Sequence, residues 1–306
     1  MTLFNRIFWG RLLVITTILT GCTTSTPASS ISDHKLAVVA TFSILGDWLH
    51  TVGGDSIALT TLVGEGSDTH TFEPSPTDSV ALSHAQLIVE IGVGYESWLD
   101  PLYQASNSKA ERVIVSQGIQ VRNLESEVDP HLWHDVQNAI KMVETIRDAL
   151  STADSENAQS YNANADAYLQ QLRELDQWIQ VEVAKIPPEQ RKLVTNHDTF
   201  GYFAARYGFE LVGSALASAS TETADPAAAN LVALVERIKA ERVPAIFAEN
   251  VSNPELLERI AQEAGVTLAP PLYTDALGEP GSDSDTYIKM MRYNVTTIVT
   301  ALSQQQ

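Results

Sequence analysis

The chain has 306 residues, 44% hydrophobic and 19% charged, which excludes a wholly disordered polymer and leaves room for two ordinary domains. Its formal charge is −19. So acidic a chain has no basic stripe to neutralise phosphates, which excludes a nucleic-acid-binding protein, whereas a negative field attracts cations.

Residues 1–20 carry Arg6 and Arg11, no acid, and an apolar run over 12–19 broken only by Thr16 and Thr17. A basic stretch followed by an apolar segment too short to span a bilayer reads as a secretory signal. It ends in LTGC, residues 19–22, which resembles the lipobox where bacterial lipoprotein signals are cleaved before a cysteine that is then acylated. Cys22 is the only cysteine, so no internal disulfide is available, and lipidation gives the lone thiol a role. Residues 1–21 are therefore assigned as the signal peptide and 22–34 as a small, polar, flexible tether. Loss of Arg6 and Arg11 takes the mature chain to about −21. A lipoprotein on the outer face of the cytoplasmic membrane is expected.

From residue 36 the chain alternates short β-rich runs with helical stretches. Residues 36–41 read as a buried strand, 43–52 as a helix closed by Gly53 and Gly54, and 57–63, 86–92 and 112–115 as further strands. No Gly or Pro interrupts 156–186, where Tyr161, Ala165, Tyr168, Leu172, Leu175, Ile179, Val183 and Ile186 recur at spacings of three and four. That is one amphipathic helix, ~45 Å long at 1.5 Å per residue, stopped by Pro187 and Pro188. Alternation then resumes, with strands at 192–195, 210–213, 245–248 and 267–269 and helices at 199–207, 231–241 and 254–264. The halves rhyme: VVATF (38–42) leads into GDW (46–48) much as LVTNH (193–197) leads into GYF (201–203). The expected fold is α/β, two (β/α)4-like lobes with parallel sheets, 35–154 and 188–306, joined by a long rigid helix over 155–187.

Seven histidines are present. His34 lies in the tether and His50 and His84 in predicted helices, and none of these is given a role. His70 and His197 follow the C-terminal ends of predicted strands, His131 lies on the loop leading away from the fourth, and Asp275 follows the last strand of the second lobe. That edge is where open α/β sheets hold ligands, so each lobe sends two candidates into one cleft.

Five segments in order carry a family resemblance: GSDTHTFEPSPTD (66–78), DPHLW (129–133), TNHDTFGYF (195–203), LYTDALG (272–278) and DTYIKMMRYN (285–294). Together they resemble the metal-binding receptors of zinc, manganese and iron ABC importers, of the zinc-uptake and treponemal metal-receptor type, over essentially the whole mature chain. The resemblance implies that His70, His131, His197 and Asp275 bind the metal between the lobes. It also implies a cognate ABC permease as partner, with a monomeric receptor expected. Three neutral imidazoles and one carboxylate close a tetrahedral shell and leave no open position for an activated water. His134, three residues beyond His131, is an alternate ligand, at a position where the family usually carries an apolar residue. Asp68, Glu73 and Asp198 read either as groups that orient an imidazole or as solvated carboxylates, and Glu249 as a structural hydrogen bonder. Trp133, Phe72 and Phe200 read as a dry wall or as ordinary core.

The expected cargo is one Zn²⁺ per chain, with Mn²⁺ as the alternative and iron behind both. Imidazole-rich sites suit zinc, and the family's manganese receptors commonly carry Glu where this chain has His197. Against zinc, only NLESEVD (123–129) stands where many zinc receptors have a long His-rich loop. The competing functions are a surface-anchored zinc-dependent hydrolase and an adhesin-type lipoprotein.

Overall fold

A computed structural model describes residues 35–124, 127–216, 218–221 and 228–303. The signal, the tether, Cys22 and His34 lie outside the described residues. The chain divides into residues 1–34 and 35–306, and the fold is that of the second unit.

In its first half, β1 (Leu36–Phe42), β2 (Ile57–Val63), β3 (Leu87–Glu90) and β4 (Glu111–Ile114) form a parallel sheet in the order β2-β1-β3-β4. The central strands read LAVVATF and LIVE, apolar without alternation, because both their faces are covered. Helices α1 (Ser43–Gly53), α2 (Pro76–His84), α3 (Leu99–Ser106) and α4 (Val136–Ala153) accompany them. Ser75 and Asp78 form a capping box that starts α2. Between β4 and α4 lies a small antiparallel hairpin, β5 (Arg122–Asn123) and β6 (Val128–Asp129). His131 therefore follows this hairpin and does not simply trail the fourth strand.

The second half repeats the plan. Strand β7 (Lys192–Thr195) pairs parallel with β8 (Glu210–Ser214), and β9 (Ala245–Glu249) with β10 (Thr267–Leu272). Strand β7 also packs beside β9, which sets the two pairs next to each other in the order β8-β7, β9-β10, although no hydrogen-bonded ladder joins them among the described residues. Again the two inner strands are the buried ones. Helices α6 (Gly201–Tyr207), α7 (Ala228–Ala240) and α8 (Glu255–Ala264) complete this half.

Helix α5 (Ala158–Val183) links the halves, packing on α1, α4 and α6 and on the last helix, α9 (Tyr287–Ser303). Every residue of the predicted apolar stripe is buried. The helix ends earlier than Pro187 alone suggests, since Lys185 and Ile186 bond the carbonyls of Glu182 and Val183 three residues back. The residue before a proline disfavours α geometry, so the last turn tightens. Helix α9 returns to the first half: the Tyr287 ring meets Trp48 at 5.1 Å, its hydroxyl donates to the Trp133 carbonyl at 2.6 Å, and its N–H donates to Asp47 at 2.9 Å. One core consequently runs from Leu36 to Leu302, with a smaller cluster around α7 and α8. No helix among the described residues is long and apolar enough to cross a membrane.

One residue on the buried stripe of α5 is charged. Asp176 accepts from Gln137, Gln180, the Arg206 guanidinium and the Tyr207 hydroxyl, tying α5 to α4 and α6. Asp176→Ala leaves those donors unpaired and is expected to lower the unfolding free energy by about 2–3 kcal/mol, less than a fully buried pair would lose because Arg206 is about a third exposed. Urea unfolding of the metal-free protein measures it, and a change below about 0.5 kcal/mol contradicts the assignment.

Candidate metal centre

Four segments end at one point. His70 lies between β2 and α2, His131 begins a short 3-10 turn after β6, His197 follows β7, and Asp275 follows β10. Their ligand atoms all lie within 4.8 Å of one another, and all four residues are buried. His131 Nε2 is 3.3 Å from His70 Nε2, 3.2 Å from His197 Nε2 and 3.2 Å from Asp275 Oδ1. Asp275 Oδ2 is 3.4 Å from His197 Nε2, and Oδ1 is 3.9 Å from His70 Nε2. Arms of ~2.1 Å in tetrahedral array put their tips about 3.4 Å apart, so these separations fit a single small cation. Asp275 Oδ2 is buried with no hydrogen-bond partner among the described residues, an orphan that a cation would satisfy.

The rings are aimed from behind. His131 Nδ1 lies 2.9 Å from Asp129 Oδ1, which also accepts the His131 N–H at 3.0 Å. His197 Nδ1 lies 2.5 Å from Glu249 Oε2, while Glu249 Oε1 accepts the N–H groups of Asn196 and His197. With Nδ1–H donated backward, each Nε2 lone pair faces the centre. Glu249 is thus more than a structural hydrogen bonder, because it orients a candidate ligand. Asp68 resembles Asp129 in accepting the N–H of the histidine two residues on, at 2.9 Å, but its other oxygen accepts the Thr221 hydroxyl and not an imidazole.

Asp275 is held by four elements. Asn294 of α9 brackets the Tyr273 backbone, donating to its carbonyl and accepting its N–H. Asn250 accepts the Thr274 N–H, Trp133 donates to the Thr274 carbonyl, and Ser43 at the start of α1 accepts the Leu277 N–H. The DTYIKMMRYN segment thereby acts on the site at a distance, through Tyr287 and Asn294.

The walls are partly aromatic. Trp133 is fully buried and meets the His131 ring at 5.3 Å, whereas Phe72 packs on Trp98 and Phe200 stacks on His134, away from the four ligand atoms. His134 is buried with Nε2 3.3 Å from the Thr199 hydroxyl, outside the cluster of four. Glu73, His50 and His84 are exposed, and Asp198 pairs with Arg122. Sequence reasoning missed Tyr95, whose hydroxyl lies 3.5 Å from Asp275 Oδ1 and whose ring meets His70 at 4.9 Å. It is thrown inward by a turn in which Gly92, Val93 and Gly94 all have positive φ, 49° at Val93. Glu96 clamps that turn, accepting from Thr41, Ile91 and Gly92. Asp129 was within a motif but unassigned; its D-x-H spacing, shared by Asp68 and His70, was the available signal. Of the four candidate ligands only His70 has measurable exposure, 5%, and it lines a cleft of about 360 Å³ with Tyr95, Pro130, Ala219 and Ser220.

The electrostatics divide the imidazoles. Burial, with repulsion from His131 and His197, pushes His70 down to about 3. Burial opposes charge on His131 too, but Asp275 and Asp129 override it and lift the ring to about 10. His197 is raised against its burial by Glu249 and Asp275. The same imidazoles overcome burial to hold Asp275 well below the usual carboxylate range. Burial and Asp275 keep the Tyr95 hydroxyl protonated.

The sequence model of the zinc-uptake complex component A (periplasmic) family matches residues 38–301. The chain is 38% identical to the manganese-binding lipoprotein MntA of Halalkalibacterium halodurans over 96% of this chain and 97% of that protein. It is 32% identical to the manganese-binding lipoprotein MntA of Bacillus subtilis over 95% and 97%. Among solved structures it is similar to the periplasmic zinc-binding protein TroA from Treponema pallidum, at 30% identity and a TM-score of 0.84, covering 89% of this chain and 100% of that one.

A cation entering this site competes with the proton on His131. That proton favours the folded metal-free form below the ~6.5 of an exposed imidazole, and the contribution is lost as pH rises through about 10. Apparent metal affinity is expected to rise with pH across that window, about tenfold per unit for each proton displaced. Calorimetry at pH 7 in buffers of different ionisation enthalpy should register at least one proton released per ion bound; none released contradicts the assignment.

Proposed function

We propose a function from the premise that this chain belongs to the zinc-uptake complex component A family, the metal receptors of ABC importers. It is an extracytoplasmic solute-binding lipoprotein that captures Zn²⁺ or Mn²⁺ and delivers it to an ABC importer, whose permease and ATPase are its partners. The ligands in this reading are His70, His131, His197 and Asp275, holding one ion per chain. The observation that carries it is the convergence of four buried ligand atoms within 4.8 Å, two of the rings backed by carboxylates.

The donor set suits either metal. With one oxygen of Asp275 engaged, three nitrogens and one oxygen make the tetrahedral shell zinc prefers. With both engaged, the shell gains the extra oxygen that suits manganese. Both oxygens face imidazoles, Oδ1 toward His131 and Oδ2 toward His197, so the second arrangement needs little movement. The relatives named above carry both cargoes in their names, manganese for the two lipoproteins and zinc for TroA.

The receptor is a monomer anchored through acylated Cys22, its lobes spanning 35–154 and 188–306 with 155–187 as the strut. It captures without turnover: a cation at the centre would be closed in by all four side chains, and a hydrolytic site requires an open position with a base beside it.

Metal-stripped mature protein is expected to bind one Zn²⁺ or Mn²⁺ per chain, with competition titration ranking the two. Asp275→Ala should weaken binding at least about 100-fold. Absence of stoichiometric metal overturns the reading. So does an Asp275→Ala variant that keeps its metal while losing a measurable hydrolysis.

A further inference from the structure

Behind the two backed imidazoles stand carboxylates with different surroundings. Glu249 is satisfied within the second half by two N–H groups and the His197 ring. Asp129 divides its oxygens: Oδ1 serves the His131 ring and backbone, and Oδ2 accepts from Arg122 at 2.9 Å. The same Arg122 nitrogen donates to Asp198 Oδ1 at 3.1 Å, beside His197 in the second half. Among the described residues, Arg122 is the one lysine or arginine paired with a carboxylate that touches these imidazoles.

The placement is enforced from several sides. Arg122 sits directly opposite Asp129 in the β5–β6 hairpin. Its N–H donates to the Tyr202 hydroxyl at 2.8 Å, and that hydroxyl donates onward to the Asp129 carbonyl at 2.8 Å. Residue 201 presses against the pair: a Cβ on Gly201 would stand 2.0 Å from the guanidinium and 2.5 Å from Asp129 Oδ2. A larger residue at 201 would have to displace the guanidinium or the carboxylate from this pairing. Hairpin, helix and loop from both halves thus converge on one guanidinium.

We propose that Arg122 is a positioning residue for metal capture: shared between Asp129 behind His131 and Asp198 beside His197, its guanidinium sets the separation and aim of those two imidazoles across the cleft. This rests on the metal-receptor reading. By occupying Asp129 Oδ2, the guanidinium stops that carboxylate rotating and so fixes the plane of the His131 ring. By reaching Asp198, it makes that ring's position depend on the second half being in place. A planar guanidinium offers several donors in fixed directions, which a lysine ammonium does not reproduce.

The test uses the mature protein with Arg122→Gln, Arg122→Lys, Asp198→Asn and the Arg122→Gln/Asp198→Asn double variant. It measures Zn²⁺ and Mn²⁺ affinity, the dissociation rate in a chelator chase, the visible absorption of the Co²⁺-loaded form, and the metal-free unfolding midpoint. Arg122→Gln should weaken binding about 10- to 100-fold, mostly through faster dissociation, and shift the Co²⁺ bands at full loading. Asp198→Asn should cost several-fold, and the double variant should bind no more weakly than Arg122→Gln alone, because Asp198 acts through Arg122. Arg122→Lys should recover part of the affinity. A merely structural arginine would lower the unfolding midpoint and leave the Co²⁺ spectrum unchanged, and that result overturns the proposal. Affinity within twofold of wild type in Arg122→Gln overturns it, as do fully additive losses in the double variant. If Arg122→Gln does not fold, Arg122→Lys and Asp198→Asn carry the same decision. Wild-type protein that binds neither metal removes the receptor reading and this proposal together; wild-type binding with an indifferent Arg122→Gln removes this proposal alone.

Discussion

Three imidazole nitrogens and a carboxylate crowd one buried volume with their electron pairs facing inward. In the absence of a positive charge that arrangement repels itself, and burial removes the water that would otherwise screen it. A cation, or a proton standing in for it, is what makes the centre of this molecule stable. The pushes on His131 and Asp275, one far up and the other far down, are the signature of that demand.

Holding such a cluster together requires segments with no freedom to part. The parallel strands of both halves supply it by ending at the same edge, and the packing behind them prevents slippage. Helix α9 belongs by sequence to the second half, yet its first residue is fastened to Trp48, Asp47 and Trp133 of the first. Seven residues on, Asn294 grips the loop that carries Asp275. The hydrophobic core is shared between the halves, so their relative motion would tear apolar contacts and not merely bend a linker.

Much of this was legible before any coordinates. Three of the four ligand candidates could be picked out because parallel strands point their carboxyl ends the same way and His70, His197 and Asp275 lie on the segments that leave such ends, whereas His131 reaches the same point only through the β5–β6 hairpin. The stripe on α5 was legible because a 26-residue helix repeats its period enough times to be seen. What escaped was short or indirect. Two-residue strands have no periodicity, so the hairpin that brings Arg122 opposite Asp129 was invisible. Tyr95 depends on three successive positive φ angles, and the non-glycine at Val93 hides that turn from any rule about glycine. Asp176 looked like one more polar residue on a long helix, because its partners come from α4 and α6 as well as from its own helix. Tertiary partners, not local preferences, decide all three.

The small exposure of His70 has a kinetic meaning. Of the four clustered side chains His70 alone reaches solvent, so the cleft it lines is the direction from which an entering group could approach the cluster. Were a cation held by these four side chains, the His70 imidazole would be the contact nearest an approaching competitor, with the three wholly buried groups shielded behind it.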